Sequence, residues 1–324
     1  MSDQRVKIWV GIGASVLLGS TGAQAGTQHA WPEPQTAASP VLIASAAEQG
    51  GEGGEESHDE QHGAGGEGGE ASHGGEAGHG GEGGEGGEGG GAMSVFSSGG
   101  EGGEGGSGPS AVDSPGVYYT QLALMLGHME VGKALYESGH GDVGSAHMGH
   151  PAAELLPLLR EALEQRGLEA VEKQVEQLAR NATGNGDWTE VQPTYRSTRT
   201  AILSAMDHVS VEKRRDPGFL ARVAIAILHQ ARHEYEDSIE DGAFVEAHEY
   251  QDSYGFVHVG RQILEENATV FQRADADAYA KLMERYDAVT QAWPTATLPP
   301  QPMVSVSELY GRISSFEFTA SQFF

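Results

Sequence analysis

The 324-residue chain contains no cysteine. This absence excludes disulfides, zinc sites built on thiolates, a lipid anchor on cysteine and covalently attached c-type haem. Basic residues are also scarce, since 19 Lys and Arg stand against 47 Asp and Glu and give a formal net charge of −28. A chain this acidic repels nucleic acid and attracts cations, so we expect no nucleic-acid partner.

Long hydrophobic runs are missing after the N-terminal region, so the sequence predicts no transmembrane helix and no integral membrane protein. The N-terminus itself has a short basic segment, an apolar run over 8–19 and small residues over 23–25. These features predict a secretory signal peptide over 1–25, cut after Ala25, with an uncleaved membrane anchor as the alternative. We therefore expect the protein to be periplasmic or secreted.

A low-complexity tract of glycine and glutamate follows, and residues 48–108 hold thirteen glutamates with few apolar side chains. Such a segment buries too little apolar surface to offset the entropy of ordering its backbone. We therefore predict a disordered region over 26–112. Imidazoles and carboxylates both bind metal ions, so its histidines suggest a weak metal reservoir, and a soluble acidic spacer is the alternative. The histidines of this weak metal tract are His58, His62, His73 and His79.

From residue 113 to 324 the apolar residues recur at intervals of three and four, with no convincing alternating pattern. This predicts an all-α domain, a bundle of about seven to eight helices, with a further short helix in the tail after Pro302. Glycines and prolines mark the breaks, and Pro157 predicts a kink. The predicted helices are 115–138, 142–149, 151–166, 168–182, 189–209, 217–240, 246–268 and 275–291.

Three histidines form the first candidate site. Helical phase turns His128 toward the apolar stripe of its helix, and the spacing of His147 and His150 places both on one face if that segment is helical. If the two segments pack as a hairpin, the three imidazoles converge, with Glu154 nearby. The alternative is a hydrogen-bonded core histidine with two histidines that cap helix ends. Neighbouring methionines also leave a non-covalent haem open.

Carboxylates form the second candidate site. Helical phase places Glu234 and Asp241 on the inner face of one helix, and Glu249 and Asp252 on the inner face of the next. A short Asp-Gly loop joins these helices, so all four carboxylates are predicted to point into one seam. Buried carboxylates need a cation or an ion-pair partner, and helical bundles hold iron with such groups. The alternative is a structural network with Arg222, Arg232 and Arg261.

The same region resembles the extracytoplasmic helical domain of the bacterial high-affinity iron permease family. The resemblance covers residues 234–257, through Glu234-Tyr235, Asp241-Gly242 and the run Glu249-Tyr250-Gln251-Asp252. The permease part of that family has membrane helices, which this chain lacks. The resemblance therefore implies a stand-alone periplasmic relative of the accessory domain, without transport activity of its own.

Two functions remain in competition. The first is a periplasmic metal-binding protein, with iron or another divalent ion as its cargo, that feeds or buffers a membrane metal-uptake system. The second is a helical protein-interaction module without metal, carrying a disordered acidic spacer. An enzyme is least favoured, because the chain has no glycine-rich phosphate loop, no nucleophile elbow and no HExxH motif. The sequence alone does not decide whether the histidines and carboxylates form one site, two sites or none.

Overall fold

The computed structural model describes residues 109–324. The predicted signal peptide, residues 26–108 and the four tract histidines lie outside the described residues. Within the described part the fold is all-α, as predicted, apart from one short hairpin whose two strands have two residues each. The α-helices are α1 (Pro115–Glu137), α2 (Gly141–His147), α3 (Leu156–Glu164), α4 (Glu169–Ala182), α5 (Trp188–Met206), α6 (Val211–Arg214), α7 (Pro217–Asp237), α8 (Ala247–Glu266), α9 (Ala268–Thr290) and α10 (Val306–Ala320). A π-helical turn (Pro151–Leu155) precedes α3, and a 3₁₀ turn (Ser321–Phe323) follows α10.

Helix α1 is the central element of the described region, and most of its side chains are buried. It begins where the Ser114 side chain accepts a hydrogen bond from the backbone N–H of Val117, with Pro115 in the first turn. Both residues are typical of a helix start. Helices α2, α5, α7 and α8 all pack against α1. Because it is covered on several sides, a polar residue on α1 needs a partner inside the protein.

Helices α7 and α8 pack against each other, joined by a short antiparallel hairpin of β1 (Ile239–Glu240) and β2 (Ala243–Phe244). Asp241 and Gly242 form its turn with φ values of 52° and 77°. The Asp-Gly pair is favoured here because both positions require positive φ. The turn reverses the chain and brings the end of α7 beside the start of α8.

The four long helices α7 to α10 pack on one another at the C-terminal end of the chain. Helix α10 contacts α7 and α9, and α9 also contacts α8. The tail helix that the sequence predicts is therefore present and packs back onto the fold. Its inner residues Leu309, Ile313 and Phe316 are buried.

Two pairs of glycines allow helices to approach with their backbones nearly touching. At the α1–α8 crossing, a Cβ on Gly127 would lie 2.5 Å from Phe256 Cδ1, and one on Gly255 would overlap the carbonyl oxygen of Gly127. At the α1–α2 contact, a Cβ on Gly144 would lie 2.7 Å from the carbonyl oxygen of Gly132. Any larger residue would push these helices apart, so glycine sets their separation.

The structure modifies several predicted boundaries. Pro157 lies in the first turn of α3, where proline is tolerated, and the predicted helix over 151–166 begins with the π-helical turn. Helix α9 begins at Ala268 and has non-helical backbone at Asp275. The Asp275 carboxylate accepts a hydrogen bond from the Ala278 backbone N–H, so the helix restarts there, at the predicted position. Ala111 is also buried, slightly ahead of the predicted start at 113.

None of the helices within residues 109–324 combines the length and the apolar character needed to cross a membrane.

Candidate metal centre

Three imidazoles surround one carboxylate where α1, α2 and α8 meet. Asp252 Oδ1 lies 2.6 Å from His128 Nδ1 and 2.7 Å from His147 Nδ1, and Asp252 Oδ2 lies 2.9 Å from His150 Nδ1. One potential ligand atom from each of the four side chains lies within 4.8 Å of all the others. The structure thus brings together the three histidines of the first predicted site and one carboxylate of the second.

The backbone explains why these groups meet. His128 follows Gly127 in α1, and Asp252 lies one turn before Gly255 in α8, so the glycine crossing places the two side chains together. The second glycine contact holds α2 against α1, and His147 is the last residue of α2. His150 comes directly before the π-helical turn. This turn type is rare and is frequently found at functional sites.

Three members of the cluster are buried, with relative exposures of 0% for His147, 3% for His128 and 4% for Asp252, and His150 is partly buried. Burial alone would raise the pKa of Asp252, but the three surrounding histidines reverse this and hold that pKa well below its usual value. Asp252 is therefore a carboxylate, and its charge is directed at the imidazoles.

Burial lowers the pKa of His128, so this imidazole favours its neutral, metal-binding form. Burial opposes the charging of His150 as well, but the nearby Asp252, with Glu154 and Glu249, outweighs it and raises the pKa of His150 to about 9. The site therefore favours positive charge at the position of His150. A proton supplies that charge in the absence of metal, and a bound cation would replace it.

Both ring nitrogens of His147 have oxygen partners, since Nδ1 faces Asp252 and Nε2 lies 2.9 Å from Gln251 Oε1. A neutral imidazole carries only one N–H. If that N–H is on Nε2 and donates to the Gln251 oxygen, the Nδ1 lone pair points at a carboxylate oxygen. A cation bound between His147 Nδ1 and Asp252 would remove this repulsion. The hydrogen bond from Nε2 to Gln251 would orient the ring, as such bonds do for metal-binding histidines in proteins.

Other groups complete the surroundings of the cluster. Glu154 lies 3.6 Å from His128 Nε2 and 3.8 Å from His150 Nδ1. The Phe256 ring meets the His128 ring in an edge-on contact with centroids 4.8 Å apart. The His248 ring lies 5.5 Å from that of His147. The cluster thus has an aromatic wall on one side, and Glu154 and His248 at its borders.

The predicted carboxylate seam is present in part. Glu234 on α7 is 8% exposed and forms a hydrogen bond with Glu249 on α8. Burial, together with Glu249 and the charge of Asp252, raises the pKa of Glu234 to about 9. Gln230 donates a hydrogen bond of 2.5 Å to Glu234 Oε1. Glu234 therefore favours its protonated form, in which the repulsion between the two glutamates is relieved.

The arginines proposed as alternative partners of these carboxylates are engaged elsewhere. Arg261 binds Asp287 and Glu265, Arg232 stacks on Tyr310, and Arg222 stacks on Phe324. The charges that act most strongly on Asp252 are those of the three histidines. The geometry therefore does not support the predicted arginine network.

The helical phase assigned to Asp241 is wrong. Helix α7 ends at Asp237, and the chain reverses through the β1–β2 hairpin, so Asp241 lies exposed in the turn. It is not among the clustered groups of the described region. The positive φ of this residue places it in the left-handed conformation, where the helical projection no longer applies.

Sequence reasoning also missed two neighbours of the cluster. The sequence pattern gives Gln251 no role beyond the run Glu249-Tyr250-Gln251-Asp252, yet its side-chain oxygen lies 2.9 Å from His147 Nε2. His248 was not singled out, although its ring borders two cluster histidines. The one sequence signal that could have identified His248 and Gln251 is that they are next to Glu249 and Asp252 in the chain. Residues at the start of α8 lie at the same end of that helix and can therefore border the same site.

Three imidazoles and a carboxylate inside a set of packed helices form a histidine–carboxylate cluster whose donor atoms are compatible with a metal ion. Residues 210–322 match the family model of the iron permease-associated 4-helix bundle domain. This match covers about a third of the chain and includes the four long helices α7 to α10. It confirms the resemblance seen over residues 234–257. No curated protein and no solved structure matches the chain.

The matched region supplies only part of the cluster. Asp252, Glu249 and Glu234 lie within residues 210–322, whereas His128, His147 and His150 lie before it. The site is therefore assembled from the matched domain and from the helices that precede it in this chain.

Proposed function

We propose that this protein is a periplasmic metal-binding accessory protein of a membrane metal-uptake system, and that His128, His147, His150 and Asp252 hold the metal ion. The observation that carries the proposal is the convergence of three Nδ1 atoms on one buried carboxylate. The family match supports a role beside an iron permease, and the predicted signal peptide supports export.

The donor set fits a divalent transition metal. Imidazole nitrogens bind iron, zinc, copper and nickel, and a carboxylate oxygen adds a hard ligand that suits iron. Calcium and magnesium prefer sites built from oxygen alone, so they fit less well. Together with the family match, this set favours ferrous iron as the cargo.

Hydrogen bonding alone is the competing explanation. If the Gln251 amide is rotated by 180°, its NH₂ donates to His147 Nε2, and each histidine donates an Nδ1 proton to Asp252. Such a network requires no ion. The two explanations differ in one measurable property, since only the metal centre makes the stability of the protein depend on a bound ion.

The test is metal binding to the full exported chain by chelator competition and elemental analysis, with Fe²⁺ under anaerobic conditions and Zn²⁺ for comparison. We expect one tight site in the wild type. A metal at a hundredfold excess over its Kd stabilises the native state by about 2.7 kcal/mol. For a domain of this size that raises the Tm by about 5–10 °C.

The variants Asp252→Asn and His150→Ala each remove one ligand. Loss of an outer-shell partner alone costs about 10–100-fold in metal affinity, so we expect at least about 100-fold weaker binding from either variant. Asp277→Asn is the matched control, because Asp277 is exposed and lies outside the cluster. A wild type whose Tm does not respond to metal or chelator, or variants that bind as tightly as the control, would refute the proposal.

A further inference from the structure

Glu154, in the π-helical turn, has one carboxylate oxygen near each of two cluster histidines. Its Oε1 is 3.8 Å from His150 Nδ1, and its Oε2 is 3.6 Å from His128 Nε2. The side chain of Glu154 is 33% exposed, whereas those of His150 and His128 are 12% and 3% exposed. Glu154 is therefore the most accessible of the three groups, and its carboxylate has solvent on one side and the cluster on the other.

The distance from Glu154 to His150 is compatible with two ligands of one ion. Imidazole nitrogens and carboxylate oxygens bind a metal such as zinc at about 2.0–2.2 Å, so two ligands of one ion lie no more than about 4.3 Å apart. The 3.8 Å between Glu154 Oε1 and His150 Nδ1 is within this limit. His150 Nδ1 is also the atom that faces Asp252 Oδ2, 2.9 Å away. An ion held by His150 and Asp252 is thus within reach of Glu154 after a rotation of its side chain.

The second oxygen of Glu154 is beside the nitrogen of His128 that does not face Asp252. If His128 Nδ1 binds the ion, the single N–H of the neutral ring is on Nε2. Glu154 Oε2 is the oxygen 3.6 Å from that nitrogen. A hydrogen bond from this N–H to Glu154 would orient the ring, as carboxylates do for metal-binding histidines.

The four ligands of the buried centre do not by themselves separate ferrous iron from zinc. For a given set of nitrogen and oxygen ligands, zinc binds more tightly than ferrous iron. Three histidines and one aspartate also supply the four ligands that zinc usually takes. A preference for iron must therefore come from the number and type of the ligands. A further carboxylate adds a hard oxygen at a fifth position, which suits ferrous iron better than zinc.

We infer that Glu154 is a fifth ligand of the metal ion and the residue that shifts the preference of the centre from zinc toward ferrous iron. This inference rests on the proposed function, because it requires an ion at the His128/His147/His150/Asp252 centre. It adds a ligand that the four-residue centre does not contain.

Two variants separate metal binding by Glu154 from its charge. Glu154→Gln has nearly the same shape, but its neutral amide is a weaker ligand. Glu154→Asp keeps the charge and withdraws the carboxylate by one carbon–carbon bond, about 1.5 Å. Loss of an outer-shell partner alone costs about 10–100-fold in metal affinity, so we expect both variants to bind Fe²⁺ at least about tenfold more weakly. The affinity for Zn²⁺ should be nearly unchanged, because its four positions are already filled.

The experiment is chelator competition on the full exported chain with Fe²⁺ under anaerobic conditions and with Zn²⁺, which gives two Kd values and their ratio for each protein. Co²⁺ is a third probe, because its visible absorption is weaker with five ligands than with four, so both variants should increase it. Glu164→Gln is the matched control, since it removes the same charge from an exposed position in α3 outside the cluster. Thermal melts with chelator show whether each variant folds.

Weaker Fe²⁺ binding in both Glu154 variants, with Zn²⁺ binding and the control unchanged, supports the inference. Equal weakening of Fe²⁺ and Zn²⁺ binding would overturn it, because Glu154 would then not select between the metals. Weaker Fe²⁺ binding in Glu154→Gln but not in Glu154→Asp would also overturn it, since charge alone would explain the effect. Unchanged Fe²⁺ affinity in both variants would overturn it and leave the four-residue centre standing. A wild type that binds neither metal would overturn both the inference and the proposed function.

Discussion

At the scale of single residues, charge compensation governs this protein. Asp252 is buried and ionised because three histidines surround it, whereas the carboxyl group of Glu234 favours its protonated form. Two acidic side chains on neighbouring helices thus have opposite pKa shifts. The difference comes from their partners, since Glu234 is beside another glutamate and Asp252 is beside imidazoles.

These shifts predict how the metal-free protein responds to pH. The pKa of Glu234 is about 9 in the native state against 4.5 as its ordinary value, so the native state binds an extra proton between these pH values. The pKa of His150 is likewise raised, from 6.5 to about 9. In both windows the unfolded state binds fewer protons, so the free energy of unfolding falls as the pH rises.

We therefore expect the chelated protein to lose stability between about pH 6.5 and 9, where both groups contribute. Glu234→Gln removes one of the two titrations and should make this decline shallower. Urea unfolding of both proteins with chelator at a series of pH values measures the effect. An unchanged slope in the variant would show that Glu234 is ionised in the native protein.

At the scale of secondary-structure elements, the glycine contacts determine the geometry of the site. Gly127 and Gly255 let α1 and α8 cross closely enough for His128 to reach Asp252. Gly132 and Gly144 do the same for α1 and α2, which carries His147. The positions of the candidate ligands therefore depend on the distances between helix backbones. The glycines set those distances, and the side chains of the cluster do not.

Gly255→Ala tests this dependence. The added Cβ would overlap the carbonyl oxygen of Gly127, and overpacking of this kind costs about 1–3 kcal/mol. We expect the chelated protein to unfold at lower denaturant concentration and its metal affinity to fall, because the two helices must separate.

Gly311→Ala in α10 is the matched control, since a Cβ there meets nothing within 4 Å. It should stabilise the protein by about 0.4–1 kcal/mol, through the reduced entropy of the unfolded chain, and leave metal affinity unchanged. Weakened metal binding in both variants would mean that the effect does not come from the α1–α8 crossing.

At the scale of the whole molecule, the chain combines the helical region with a glycine- and glutamate-rich segment that lies outside the described residues. The sequence predicts that this segment is disordered, with its imidazoles and carboxylates binding metal weakly and without defined geometry. In the proposed function it would raise the local concentration of cations near the folded part. It would add little to the stability of the fold.

Replacing His58, His62, His73 and His79 by Ala should therefore lower the number of weakly bound Zn²⁺ or Cu²⁺ ions and leave the tight site intact. The Tm should stay the same with and without chelator, because a disordered segment makes few stabilising contacts. Calorimetric titration and thermal melts of the two proteins measure both quantities. A changed Tm would contradict the predicted disorder.

Much of the fold follows from the sequence, because apolar periodicity and capping residues act locally. Each of the eight predicted helical ranges overlaps a helix of the structure, and the tail helix is present as well, whereas α6 and residues 269–274 of α9 were not predicted. The errors lie where the chain leaves regular helix, as at Asp241 in its turn and at Ile239–Glu240, which form a strand inside the predicted helix 217–240. Helical projection assumes a constant rotation per residue, and it fails once the backbone departs from that rotation.

The sequence by itself determined which residues face inward: the phase of α1 buries His128, and the phases of α7 and α8 bury Glu234 and Asp252. Only the tertiary structure decided that the histidines and Asp252 form one cluster, while Glu234 pairs with Glu249 beside it. The reason is distance along the chain, since His128 and Asp252 are 124 residues apart. A periodic pattern specifies the face of a helix, but the glycine crossings between helices decide which faces meet.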